Sequence, residues 1–323
     1  MQAGNARVRV RVRASESGYC RLRKGKWHDT LSPYIMNRIT IEHNTFYTFS
    51  EPVTLLPHRL MMRPRAGHDI RIDSADVSIS VPHELMWQRD IYGNSVGVVH
   101  FTETATELAL QSKVVLQHFE VKPLNFHVDE RAVMFPFHFD LSERVEMIPY
   151  QMPCFPSDSE MVREWVKMFW MPGKMIETYV LLDTMNKAIA TGFIYGQREE
   201  PGVQRPAETL VKRSGSCRDF ATLFIEACRF FGLAARFVSG YLHSPDTVIG
   251  DGSTHAWAEV YLPGAGWKGF DTTSGAVTGA DHIATAVTRH PADAPPISGS
   301  FIGSANCIST MKVKVDVRGK YFE

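Results

Sequence analysis

The sequence has no excess of charge of either sign and no long hydrophobic stretch. Lys and Arg together number 35, and so do Asp and Glu, so the formal net charge is zero. Because a neutral chain presents no overall positive field, we expect neither nucleic acid nor an anionic membrane as a partner. No run approaches the roughly 18 consecutive apolar residues that a spanning helix needs. We therefore also expect no membrane insertion.

Cysteines are few, and their spacing suggests no bridges. No two of the five form a CxxC pair, and their number is odd: Cys20, Cys154, Cys217, Cys228 and Cys307. Such a pattern is typical of reduced thiols rather than of a disulfide framework. The N-terminus also lacks the apolar segment of a secretory signal. We therefore expect a cytoplasmic protein.

Motifs for nucleotides and calcium are also missing. The chain has no GxxxxGK[ST] loop and no EF-hand loop. Two pairs, His127 with Asp129 and His138 with Asp140, suggest a metal site. However, neither spacing is a diagnostic zinc pattern, and both pairs lie in a proline-rich segment. We predict no cofactor and no metal.

The 323 residues leave room for about two domains. Residues 1–36 are a basic extension, which is either an arm that touches a partner or, as we favour, a disordered or dispensable segment. Residues 37–122 carry short alternating apolar runs separated by prolines, which predicts an antiparallel β-sandwich domain. Residues 123–156 contain five prolines and are predicted to be a connector with little regular structure.

Residues 157–323, the predicted catalytic domain, show helical patterns followed by strand patterns. A capping box at Ser157–Glu160 precedes the first helix, and a second helix is predicted over 174–190. The third begins with Ser216 as its N-cap and ends near Gly232. Strands are predicted at 235–241, 256–262, 267–271 and 311–317. The order of a β unit, then helices, then a sheet indicates the α+β class.

Cys217 is a candidate nucleophile because it falls in the first turn of the third helix. A cysteine attacks as its thiolate, and the unpaired N–H groups and the dipole at a helix N-terminus favour that charge. A neighbouring imidazole would favour it further, by forming a thiolate–imidazolium pair. Asp219 would act against the thiolate, so we expect it to cap the helix instead. The backbone N–H of Cys217 is the natural oxyanion donor, and Tyr195 and Gln197 are candidates for a second.

His255 and Asp271 are candidates for the base and for the acid that orients it. Period-two alternation places His255 and Trp257 on one face of a strand, and Asp271 ends the next strand. Pairing of the two strands would bring the carboxylate to the imidazole, where it fixes the tautomer and stabilises the imidazolium. The structural alternatives are a core histidine and a strand-end acid. Trp257 is also our candidate for substrate binding, ahead of Tyr195 and Tyr241.

Four segments in this order resemble the bacterial transglutaminase-like superfamily. They are Gly215-Ser-Cys217-Arg-Asp-Phe-Ala221, Gly232-Leu-Ala-Ala-Arg236-Phe-Val-Ser-Gly240-Tyr, His255-Ala-Trp-Ala-Glu259 and Trp267-Lys-Gly-Phe-Asp271. The first domain is similar to the β-rich N-terminal region of that family, through Pro57-His-Arg-Leu60, Arg63-Pro-Arg65 and Asp90-Ile-Tyr-Gly-Asn-Ser95.

The resemblance implies an α+β architecture in which an N-terminal β-sandwich precedes a papain-like core of helices packed on an antiparallel sheet. It also implies a catalytic triad of Cys217, His255 and Asp271. One departure is Thr272, where the family usually has Pro after the aspartate. The acid itself is present, so the predicted triad is complete.

The resemblance leaves the reaction open. Members attack an amide carbonyl to form a thioester, which either water or an amine resolves. We favour a thiol-dependent hydrolase or acyltransferase, and within that class a cysteine peptidase or amidase acting on a peptide or protein amide. The alternatives are a protein-glutamine transamidase and a catalytically idle peptide-binding scaffold. The N-terminal β domain is a candidate site for docking a protein partner.

Overall fold

The N-terminal part of the molecule consists of β-strands. The computed structural model describes residues 36–119, 124–198, 200–243 and 254–322, so nearly all of the predicted basic extension lies outside the described residues. Six strands come first in the chain: β1 (Met36–Leu55), β2 (His58–Leu60), β3 (Ile70–Ile79), β4 (His83–Arg89), β5 (Ser95–Phe101) and β6 (Thr104–His118). They correspond to the short alternating runs of the sequence.

These strands form two antiparallel sheets that share an apolar core. In the first sheet β6 lies between β1 and β3, and in the second β5 lies between β2 and β4. Both sheets contribute buried side chains to the core, among them Phe49, Val53, Leu60, Val99, Leu108 and Leu110. The predicted β-sandwich is therefore confirmed.

Helices occupy the middle of the chain. They are α1 (Glu130–Val133), α2 (Leu141–Gln151), α3 (Ser159–Val166), α4 (Thr178–Gly192), α5 (Pro206–Lys212) and α6 (Cys217–Phe230). Four two-residue strands lie among them: β7 (Met134–Phe135), β8 (Ile176–Glu177), β9 (Ile194–Tyr195) and β10 (Ser214–Gly215). No helix in the described ranges combines the length and the apolar character that a membrane crossing requires.

The connector predicted at 123–156 has more regular structure than its prolines suggested. Helix α2 spans eleven of its residues and contains Pro149 in its last turn. Proline count alone was therefore a poor guide to this segment.

A separate five-stranded antiparallel sheet supports the helices. Its strands are β11 (Ala235–Leu242), β12 (Thr254–Leu262), β13 (Gly266–Asp271), β14 (Ala276–Val277) and β15 (His282–Thr288), in the spatial order β14-β13-β12-β11-β15. Helix α6 packs on it through an apolar core that includes Phe220, Leu223, Phe224, Ala256, Ala258 and Val260. The predicted core of helices on an antiparallel sheet is confirmed. Because neighbouring strands are antiparallel, β12 and β15 begin at the same end of the sheet where β11 and β13 finish.

The C-terminal residues return to the N-terminal sandwich. Strands β16 (Ile297–Ser298) and β17 (Phe301–Ile302) pair with β2 and β1, and β18 (Ser309–Phe322) pairs with β1 over most of its length. The sequence-based division placed all of 157–323 in the catalytic domain. The alternation at 311–317 identified a strand, but alternation does not specify which sheet edge the strand will join.

Candidate active site

Cys217 is the first residue of α6, as predicted. The chain enters the helix through Ser216, whose backbone N–H and hydroxyl both donate to Asp219 Oδ2 at 2.8 Å. The side chain of Cys217 is half-buried, and its sulfur belongs to a free thiol. The N–H groups of a first helical turn have no partner within the helix. The thiol therefore stands beside donors that can stabilise negative charge.

Asp219 is occupied with holding the start of this helix. Its side chain is fully buried and accepts from Arg198 Nη1 at 3.0 Å and from the backbone N–H of Gln204 at 2.7 Å. The guanidinium of Arg198 neutralises the carboxylate, which offsets its unfavourable effect on a nearby thiolate. This arrangement agrees with the capping role predicted for Asp219.

His255 lies between Cys217 and Asp271. Its Nε2 is 3.1 Å from Asp271 Oδ1, and the ring is also hydrogen-bonded to the Cys217 thiol. The angle at the Nε2 hydrogen is too far from linear for a well-aligned hydrogen bond to the carboxylate oxygen. Catalytic hydrogen bonds are often misaligned in this way before substrate binds. Burial lowers the pKa of His255, but the hydrogen bonds and charges of Asp271 and Cys217 outweigh burial and raise it to about 10. The site therefore favours the imidazolium.

Asp271 is buried at the end of β13 and is held by several donors. Oδ1 accepts from the backbone N–H of Thr273 at 2.9 Å, and Oδ2 accepts from the hydroxyl of Ser274 at 2.9 Å. Burial would raise the pKa of Asp271, but hydrogen bonds from His255 and His282, together with the charge of His255, hold it well below its usual value. Asp271 is thus an anion next to the imidazole. Thr272, which stands in the place of the family's proline, is fully buried in the turn that follows.

The strand pairing explains why residues distant in sequence meet here. Ala258 is opposite Phe270 in the β12–β13 ladder, so the following residue, Asp271, falls beside Trp257 and diagonally across from His255. Helix α6 lies on the same sheet with its N-terminus at this end. The structure brings Cys217, His255 and Asp271 together, as predicted.

Three aromatic residues were candidates for the substrate cleft, and the structure separates them. Trp257 is only 2% exposed and packs against Val238 and Val287, so its indole supports the sheet rather than presenting a surface to substrate. Tyr241 is equally buried, and its hydroxyl is 2.9 Å from His43 Nδ1. The alternating pattern of their strands could not reveal that residues of the N-terminal sandwich domain, Tyr92 and His43, pack near these two side chains.

Tyr195 is the aromatic residue beside the nucleophile. It belongs to β9, which runs parallel to β10, and it lies opposite Gly215, two residues before Cys217. Burial, followed by the negative charges of Cys217 and Asp271, raises the pKa of Tyr195 to about 12. The phenol therefore keeps its proton and can act as a donor. Gln197, the other candidate for the oxyanion site, has an exposed side chain.

His282 is a site residue that the sequence analysis missed. Its Nε2 is 3.3 Å from Asp271 Oδ2, whereas His255 faces Oδ1 of the same carboxylate. Sequence gave little indication of it, because β15 pairs with β11 and not with the strand that carries Asp271. His282 and Asp271 meet because β15 begins at the same end of the sheet where β13 finishes.

Two groups of residues have chemistry suited to a metal. His255, Asp271 and His282 offer ligand atoms within 4.8 Å of one another. Both histidines direct Nε2 at the carboxylate, so an ion there would replace the contacts that complete the triad. In the predicted His-x-Asp pairs, Asp129 and Asp140 both form ion pairs with Arg131. A guanidinium between two carboxylates does not favour a cation.

The comparisons with known proteins agree with this geometry. Residues 177–272 match the transglutaminase-like superfamily, and residues 39–117 match the bacterial transglutaminase-like N-terminal region. The chain belongs to the transglutaminase-like superfamily. The first match contains Cys217, His255 and Asp271, and the second covers most of β1–β6.

Relatives of this transglutaminase-like protein occur in mycobacteria. It is 29% identical over 306 residues to an uncharacterized protein of Mycobacterium tuberculosis, covering 87% of this chain and 92% of the relative. An uncharacterized protein of Mycobacterium leprae is 36% identical over 93 residues, which is 28% of this chain and 33% of the relative.

Among solved structures, one of "a Putative Cysteine Protease from Cytophaga hutchinsonii" has the same fold. The TM-score is 0.67 at 20% sequence identity, and the match covers 88% of this chain and 91% of that chain. At this identity the likeness establishes the shared fold.

Proposed function

We propose that this protein is a cysteine peptidase or amidase that cleaves a peptide or protein amide through a thioester. The observation that carries the proposal is the position of His255, whose imidazole contacts both the Cys217 thiol and the Asp271 carboxylate. A buried imidazolium that contacts a carboxylate on one side of the ring stabilises a thiolate on the other side. The start of α6 supplies N–H donors at the same place.

The proposed reaction runs in two halves. The thiolate of Cys217 attacks the amide carbon, and the electron pair of the carbonyl bond moves to oxygen, where the backbone N–H of Cys217 stabilises it. The C–N bond then breaks, the amine leaves with the proton of the His255 imidazolium, and a thioester remains. Water attacks the thioester and gives a proton to His255. The acid product departs, and the thiolate–imidazolium pair is restored.

Tyr195 is our candidate for the second oxyanion donor. Its phenol is close enough to Cys217 and Asp271 for their charges to affect it, and it stays protonated across the physiological range. A neutral O–H next to the sulfur can donate to the oxygen that becomes negative during attack. This role places Tyr195 in direct contact with the reacting amide.

We favour water over an amine as the acyl acceptor. Water is abundant, and the sequence carries no recognisable amine-binding motif. The two outcomes are separable by offering a glutamine-containing peptide with a labelled primary amine. Acid product without label supports hydrolysis, whereas incorporation of the label would make transamidation the correct assignment.

The first prediction concerns the reactivity of Cys217. At pH 6.5 we expect iodoacetamide to modify Cys217 at least roughly tenfold faster than Cys307, because an ordinary thiol with a pKa near 8.5 is about 1% ionised there. Cys307 is also a half-buried free thiol and provides a control within the same chain. Peptide mapping after timed labelling measures both rates.

A second measurement identifies the acyl donor. Wild type and Cys217→Ala are incubated with candidate peptides, quenched with acid and weighed as intact proteins. An acyl adduct on wild type alone supports a covalent thioester. If Cys217 reacts no faster than Cys307 and no peptide forms an adduct, the chain is better described as a peptide-binding scaffold.

A further inference from the structure

His282 occupies a position that the triad does not explain. It begins β15, its side chain is 11% exposed, and its Nε2 lies 3.3 Å from Asp271 Oδ2. The Trp257 ring meets the imidazole edge to face, with centroids 5.3 Å apart and planes at 82°. The ring is therefore confined on one side by an indole and on the other by a carboxylate.

The hydrogen bonds of His282 indicate which nitrogen carries the proton. The backbone N–H of Gly279 donates to Nδ1 at 3.3 Å. Because an Nδ1 that accepts has no proton, the proton of the neutral ring is on Nε2. That N–H faces Asp271, so His282 can donate to the carboxylate without being charged.

The start of β15 lies very close to β11, and this approach places the His282 ring beside Asp271. The ladder between β11 and β15 shifts register between Ser239 and Gly240. A Cβ on Gly240 would lie 2.2 Å from the carbonyl oxygen of Ile283, the residue after His282. Any side chain at 240 would therefore push the start of β15 away from its present position.

Asp271 consequently has a distinct set of donors on each oxygen. Oδ1 faces His255 and the Thr273 backbone N–H, and Oδ2 faces His282 and the Ser274 hydroxyl. A carboxylate bonded on one oxygen only can rotate about its Cβ–Cγ bond. Donors on both oxygens prevent that rotation.

We propose that His282 is a positioning residue for the proposed reaction: its neutral Nε2–H fixes the plane of the Asp271 carboxylate so that Oδ1 stays directed at His255. This proposal rests on the proposed function, since it acts through the triad and not on substrate. It makes the working site a group of four residues, in which two histidines each face a different oxygen of one aspartate.

The test compares two substitutions that differ in one hydrogen bond. His282→Gln keeps an amide N–H that reaches toward the position of Nε2, whereas His282→Leu removes the donor. We expect His282→Leu to lower the Cys217-to-Cys307 labelling ratio at pH 6.5 about tenfold, the low end of the range for outer hydrogen-bond partners of site ligands. We expect His282→Gln to keep at least half of the wild-type ratio. At pH 10 the three proteins should be alike, because both thiols ionise there without help.

Other outcomes would overturn the proposal. If both substitutions lower the ratio equally, His282 acts through packing and not through its N–H. If His282→Leu leaves the pH dependence of the ratio unchanged, Ser274 and Thr273 suffice to hold Asp271. His58→Leu is the matched control, since it removes a buried histidine of the N-terminal sandwich and should leave the ratio unchanged.

A further readout does not depend on catalysis. In histidine-labelled protein, nitrogen chemical shifts should identify His282 as the Nε2–H form, and the His255 Nε2 proton should be protected from solvent exchange. In His282→Leu that protection should be lost even if Cys217 proves unreactive in wild type. The failure of the proposed enzyme activity is thereby distinguished from the failure of the role assigned to His282. A His282 ring protonated on Nδ1 would refute the proposal directly.

Discussion

At the scale of residues, the charge state of His255 decides the pH range of the reaction. The pKa of His255 is raised to about 10 by Asp271 and Cys217 despite the opposing effect of burial. A raised pKa means that the protonated form persists up to that pH. Since the imidazolium protonates the leaving amine, we expect the acylation rate to fall as pH rises through about 10.

Replacing Asp271 by Asn should move this limit. The amide has no charge to stabilise the imidazolium, so the alkaline inflection of the acylation rate should shift downward by roughly one pH unit or more. The measurement is a pH–rate profile for wild type and Asp271→Asn, followed by acyl-adduct formation. Asp183→Asn, on the exposed side of α4, is the control. An inflection that stays in place would mean that Asp271 does not set the charge of His255.

The three catalytic candidates could be predicted because each lies in a helix or strand with a recognisable sequence pattern. Cys217 follows an N-cap, and His255 and Asp271 belong to strands of clear alternation. His282 could not be predicted, since its role depends on two strands that are not neighbours in the sheet. Trp257 was expected on the correct strand face, but its burial depends on contacts from the other domain.

At the scale of elements, the start of α6 depends on a buried ion pair. Asp219 is fully buried, and Arg198, which pairs with it at 3.0 Å, has a side chain only 20% exposed. Removing one partner of a buried pair leaves the other charge uncompensated, which costs about 3–5 kcal/mol. We expect Asp219→Ala to lower the free energy of unfolding by about that amount.

Chemical denaturation of Asp219→Ala beside wild type measures this change. Asp183→Ala is the control, because Asp183 forms an i,i+4 pair with Lys187 on the surface of α4 and should have a small effect. Equal effects of the two substitutions would show that the Asp219 network does not hold the helix. The capping role of Asp219 was predicted from sequence, but Arg198 and Gln204 lie in a segment without periodicity, so their contacts with Asp219 could not be predicted.

At the scale of the whole molecule, the two domains meet at the strand that carries His282. The Asn94 side chain is completely buried and bonds both backbone groups of Val287: Nδ2 donates to its carbonyl at 2.8 Å, and Oδ1 accepts from its N–H at 2.9 Å. Arg65 Nη1 donates to the same Oδ1 at 2.5 Å. The N-terminal sandwich thus pairs with β15 much as another strand would.

The sequence predicted two domains but not this connection. Asp90–Ser95 had the composition of a turn and also carried part of the family resemblance. Neither property shows that Asn94 reaches another domain, because a turn residue has the same local pattern whether its amide meets water or a distant strand. The C-terminal strand was predicted, but its pairing with β1 could not be, for a similar reason.

Asn94→Ala should therefore weaken both stability and reactivity. It leaves the N–H and the C=O of Val287 without partners in a buried place, and each unsatisfied group costs about 1–3 kcal/mol. We therefore expect the free energy of unfolding to fall by about 2–6 kcal/mol. Because β15 also carries His282, the Cys217-to-Cys307 labelling ratio at pH 6.5 should fall in the same variant. Urea denaturation and peptide mapping give the two values, with the exposed Asn306→Ala as control. A loss of stability with an unchanged ratio would mean that β15 keeps its place without the sandwich, so that the N-terminal domain supports the fold but not the active site.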